Sequence, residues 1–110
     1  PGQPQAAAKR AALEALLMCT GETPVKYAAG AKTAASHPGS HERYAAYARA
    51  KTLGEALELG ASTADLLYDW QAGHLRLGAR KRRKALPAAE EDLGSSRFGR
   101  LASRWRAALL

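Results

Sequence analysis

Residues 52–73, TLGEALELGASTADLLYDWQAG, decide the fold. Thr52-Leu-Gly-Glu55 has the form of a capping box, in which a hydroxyl accepts from the third helical amide while an acidic side chain reaches back. Leu53, Ala56 and Leu57 then fall together, and Gly60 supplies a stop. Ser62-Thr-Ala-Asp65 is a second capping box, and the helix it opens should end before Gly73. Leu66 and Trp70 on that helix are assigned to the core. The centre of the chain is therefore two short helices joined by a capped glycine turn.

Outward from this pair the grammar stays helical. Residues 6–19 read as a helix with Leu13, Leu16 and Leu17 as its apolar stripe, and residues 1–5 as a disordered lead-in to a single domain over 6–110. Residues 22–40 are the least regular: Pro24, Gly30, Pro38 and Gly39 argue against one continuous helix, and Val25 to Ala28 fit a short strand or an extended run. Lys26 and Lys32 are available there to meet a partner from a loop. Ser40 is an expected N-cap for a helix over residues 41–50 that turns Tyr44 and Tyr47 inward. His74-Leu75-Arg76-Leu77 alternates as a short strand would. Pro87 suits the first turn of a short helix containing Glu90, Glu91 and Asp92. The clearest helix is the last, capped by Ser95 or Ser96, with Phe98, Leu101, Ala102, Trp105 and Leu109 at spacings of three and four. An Ala-rich, Leu-stitched composition with few β-branched residues agrees. The expected fold is all-α or mainly α: a compact bundle of four to six short helices, with a minor extended element at residues 74–77 as the exception.

The central pair resembles the generic pattern of helix-turn-helix DNA-binding domains over about 22 residues. Ala56 stands four residues before Gly60, where close helix crossing wants a small side chain, and Leu66 stands six after it. Glu55 departs from the pattern, which usually has leucine there, and Trp70 and Gly73 fall one residue late. Any two short helices joined by a capped glycine turn would give the same match. The second helix also lacks Lys and Arg and carries Asp65 and Asp69, which suit neither phosphates nor base edges. It is expected to pack or to face away from a duplex.

Charge points elsewhere. Residues 1–75 hold seven Lys/Arg and seven Asp/Glu, whereas residues 76–110 hold ten and three, so the whole net charge of +7 lies in the last third. Arg80, Lys81, Arg82, Arg83 and Lys84 are contiguous, and Arg97, Arg100 and Arg104 recur along the last helix as a basic stripe beside its apolar one. Such a segment is fitted to phosphates, which position a protein on nucleic acid without reading sequence. The same five-residue run also fits a nuclear import signal or a solvated hinge. Tyr27, Tyr44, Tyr47 and Tyr68 fit base stacking or, more commonly, a structural role.

Other classes fare worse. His37 and His41 are separated by Pro38-Gly39 and, with Cys19 and His74, have no metal-finger spacing. No phosphate loop, dinucleotide fingerprint or evident nucleophile with a base occurs. One cysteine cannot form an internal disulfide, and no apolar run has the length of a membrane span. The reading is a non-catalytic nucleic-acid-binding domain without metal or cofactor. Duplex DNA is favoured over RNA, in the nucleus or another compartment holding nucleic acid. The alternatives are an interaction module that docks a helical face within a larger assembly, and a ribonucleoprotein subunit.

Overall fold

At the centre of the chain one capping box forms fully and the other in part. In the computed structural model, which describes residues 4–109, the Ser62 hydroxyl accepts from the Asp65 amide at 3.0 Å and the Asp65 carboxylate accepts from the Ser62 amide at 2.9 Å. Thr52 Oγ1 accepts from the Glu55 amide at 3.1 Å, but Glu55 reaches past Thr52 to the amide of Lys51. The backbone of Thr52 is engaged instead in an antiparallel bridge with Pro24. Gly60, at φ +114°, and Gly73, at φ +81°, end their helices in backbone conformations that favour glycine.

The elements in order are α1 (Pro4–Leu17), β1 (Val25–Tyr27), α2 (His41–Tyr47), α3 (Leu53–Glu58), α4 (Thr63–Ala72), β2 (Leu75–Leu77), a 3-10 turn (Glu90–Leu93) and α5 (Arg97–Leu109). The fold is a mainly helical domain of five short helices with a small antiparallel sheet. Helix α1 begins at Pro4, so the expected lead-in gives way to helix two residues early, and residues 1–3 lie outside those described. Strand β2 falls where alternation placed it. Its partner β1 lies some fifty residues earlier, in register Val25 to Leu77, Lys26 to Arg76 and Tyr27 to Leu75. Two starts differ from expectation. Ser40 precedes α2 but makes no side-chain cap. The helix expected after Pro87 shortens to the 3-10 turn, with the Asp92 carboxylate accepting from the amides of Ala88 and Ala89.

Packing follows the leucines. Helix α1 lies on α4 and α5, and α4 also contacts α5 and β2. Leu13, Leu16 and Leu17 join Leu53, Leu57, Leu66, Leu75, Phe98 and Trp105 in one buried cluster. The Trp105 indole donates to the Thr63 carbonyl at 3.1 Å, fixing α5 to the start of α4. Trp70 is only half-buried, beside Ala8, Ala11 and Ala15 of α1. Gly99 admits a close backbone approach: a Cβ there would press into the carbonyl oxygens of Leu93 and Gly94.

Candidate nucleic-acid interface

The basic run is a loop laid along the end of α1. Cys19 and Arg82 form an antiparallel bridge, and the Arg83 amide donates to the Met18 carbonyl. Lys81 adopts a left-handed backbone, φ +59°, unusual for a residue with a side chain. The hydroxyls of Thr20 and Thr23 hold it there, both donating to the Lys81 carbonyl, at 2.9 and 2.8 Å.

The five cations divide into two kinds. Arg82 donates to the carbonyls of Gly78 and Leu77, and Arg83 to those of Asp92 and Leu93. These two guanidiniums stitch the loop to β2 and to the 3-10 turn. Arg82 is exposed, as are Arg80, Lys81 and Lys84, but the side chains of the last three make no such carbonyl contacts among the described residues. Lys81 has Glu22 as a distant, solvated neighbour at 4.0 Å. Among the described residues neither Arg80 nor Lys84 has a carboxylate within ion-pair distance.

On α5 the expected stripe is present. Phe98, Gly99, Ala102 and Trp105 are buried, while Arg97, Arg100 and Arg104 share the opposite, exposed side. Arg100 also donates to the Ser95 carbonyl. The first turn of α5 contains Arg97 and Arg100 and no acid. A helix N-terminus carries partial positive charge, so cations there are disfavoured by a few tenths to about 1 kcal/mol each unless an anion joins them. The stripe from Arg97 to Arg104 runs about 10 Å along the helix.

Of the exposed cations outside both groups, two stand side by side. Lys26 and Arg76 are register partners across the sheet and point to its exposed face. Sequence alternation marked Arg76 as opposite to Leu75 and Leu77, but nothing local signalled that Lys26 would stand beside it.

The remaining charged and aromatic groups are internal. Lys32, left available to a partner by its loop setting, is buried: its Nζ lies 3.0 Å from Asp69 Oδ1 and 3.3 Å from the Tyr47 hydroxyl. It also sits 5.1 Å from the ring centres of both Tyr44 and Tyr68. Tyr47 donates to Asp69 Oδ2 at 2.7 Å and Tyr44 to the Ala28 carbonyl at 2.6 Å. Asp65 forms a two-point ion pair with Arg43, at 2.8 and 3.1 Å. Both acids of α4 are therefore paired within the protein, Asp69 with Lys32 of the irregular segment before α2 and Asp65 with Arg43 of α2 itself. Burial pushes the Asp65 carboxyl up, but the Arg43 and Ser62 hydrogen bonds outweigh it and hold the group below the ordinary carboxylate value. Burial, and then the nearby Asp69 carboxylate, raise Tyr27 well above the ordinary phenol value, and the same two causes raise Tyr44. Tyr27, Tyr44 and Tyr47 are in the core, and Tyr68, 49 % exposed, shares a 3.0 Å hydrogen bond with His37 Nε2.

Burial also raises the Cys19 thiol, which disfavours its nucleophilic form. Among the described residues no three His, Cys, Asp or Glu side chains are grouped to hold a metal, and no helix is long and apolar enough to cross a membrane. No known family, curated protein or solved structure matches the chain.

Proposed function

We propose that this domain binds nucleic acid through phosphate contacts and performs no chemistry on it. Arg97, Arg100 and Arg104 of α5 form one contact surface, and Arg80, Lys81 and Lys84 of the preceding loop supply the rest. The reading rests chiefly on one observation: α5 keeps three exposed arginines on one side, two of them in a first turn that disfavours cations. A phosphate beside that turn reverses the sign of the penalty. Arg82 and Arg83 act one step back, holding the loop in shape.

A duplex, taken as DNA, is preferred over a single strand on two grounds. Single-strand binding draws on exposed aromatic platforms, and Tyr68 is the one exposed aromatic among the described residues. A duplex also presents about one charge per 1.7 Å of axis, so a rigid 10 Å stripe meets several phosphates at once. Such binding is sequence-tolerant and places the protein in the nucleus or another compartment that holds nucleic acid.

The test is a titration with duplex DNA, single-stranded DNA and duplex RNA at two salt concentrations, followed by amide chemical shifts. Duplex DNA is expected to move the amides of residues 80–84 and 97–104, more weakly at the higher salt. Tighter binding of duplex RNA would give the ribonucleoprotein alternative instead. No binding at low salt would leave the domain an interaction module of a larger assembly.

A further inference from the structure

Lys26 and Arg76 face each other across β1 and β2, and both are exposed. Like charges directly opposite on an antiparallel pair repel and destabilise it. Among the described residues no carboxylate lies within ion-pair distance of either to offset that repulsion. Beside the pair is a concavity of about 330 Å³ whose wall includes Lys26, Tyr27, Gly73, His74 and Arg76. His74 is mostly buried and directs Nδ1 toward Asp69 Oδ1, 3.6 Å away, which leaves Nε2 as its other polar atom. The Asp69 carboxylate is already held by Lys32 and Tyr47, so it does not neutralise the two surface cations.

We infer that this concavity is a second phosphate-binding site, separate from the loop and the α5 stripe, with Lys26 and Arg76 as its cationic clamp and His74 in its wall. Arg76 supplies a planar fork for two phosphate oxygens and Lys26 a movable point charge. The main chain is fixed on both sides. The Ala28 amide donates to the His74 carbonyl at 2.7 Å and the His74 amide to the Asp69 carbonyl at 2.8 Å. The two cations therefore meet an anion from a rigid base. The site itself does not depend on the nucleic-acid reading, but naming a strand phosphate as its occupant does.

The experiment uses the intact domain, labelled for amide detection, with inorganic phosphate and a short DNA duplex added separately at constant ionic strength. Phosphate should move the amides of Lys26, Tyr27, His74 and Arg76 saturably, whereas chloride at the same ionic strength should not. The Lys26→Gln and Arg76→Gln variants should each lose most of that response. Both positions are exposed, so the variants should retain the wild-type spectrum elsewhere. If duplex moves these amides as well as those of α5, the occupant is a strand phosphate. If phosphate moves them and duplex moves nothing, the site stands with free phosphate as occupant and the nucleic-acid proposal fails. If phosphate moves none of them, or the variants respond like wild type, the site is refuted, whatever the duplex does at α5.

Discussion

Asp69 shows how one buried residue ties down the irregular segment before α2. Its side chain is fully buried and accepts from Tyr47 while pairing with Lys32, which is itself 2 % exposed. Removing one member of such a pair strands the other charge. Asp69→Ala is therefore expected to destabilise the domain by about 3–5 kcal/mol in denaturant unfolding. The double change Lys32→Met with Asp69→Leu removes both charges at similar volume and should lose far less. Equal losses would mean that the pair is not the anchor. Asp65 makes the matching pH prediction. A carboxyl held below its unfolded value contributes stability that is complete above that value and lost as pH falls through the lowered one. Denaturant midpoints should thus hold near neutrality and decline below about pH 4. Asp65→Asn should be less stable at pH 7 and show a shallower acid decline. An acid limb identical to wild type would contradict the role of the Arg43 pair.

At the scale of elements, α5 depends on a close approach and a large anchor. Gly99→Ala would drive a methyl group into the carbonyls of Leu93 and Gly94. A loss of about 1–3 kcal/mol is expected, the usual scale of overpacking, read from thermal melts. Trp105→Ala deletes a buried ring and its hydrogen bond to Thr63, with an expected loss of about 3–5 kcal/mol. A wild-type melt for either variant would show that α5 is not docked through this face. Helices such as α4 and α5 were legible because capping residues, glycine stops and three-four spacing are local signals. The α5 arginine stripe was legible for the same reason. The pairing of β1 with β2, and of Lys26 with Arg76, was not, because strand partners far apart in sequence leave no local mark. The pairing of Lys32 with Asp69 was not legible either, because nothing local marks two charges thirty-seven residues apart as partners until the chain brings them within 3.0 Å. The division of the basic run was hidden too, since the carbonyls that engage Arg82 and Arg83 lie only four to ten residues away and no residue type marks which arginine the loop will turn toward them.

Over the whole molecule, the ionic contacts concentrate on the neutral first part of the chain. Three of its seven acids pair with a cation of that same part, Asp65 with Arg43, Asp69 with Lys32 and Glu14 with Arg10. The last third keeps an excess of seven positive charges on a loop, a strand and a helix. That arrangement gives a lasting local potential able to draw a polyanion. Each phosphate contact releases condensed counterions and steepens the fall of affinity with salt, by about 0.9 in the log–log slope on a duplex. The decisive measurement is that slope for wild type, for the Arg97→Gln/Arg100→Gln/Arg104→Gln variant and for the Arg80→Gln/Lys81→Gln/Lys84→Gln variant, on two unrelated duplex sequences. All six positions are exposed, so both variants should stay folded, which an amide spectrum checks. Each triple variant is expected to bind more weakly on both duplexes alike, with the slope reduced by roughly two to three units. Folded variants whose slopes equal that of wild type would contradict phosphate binding by these surfaces, as would wild-type protein that binds neither duplex at low salt.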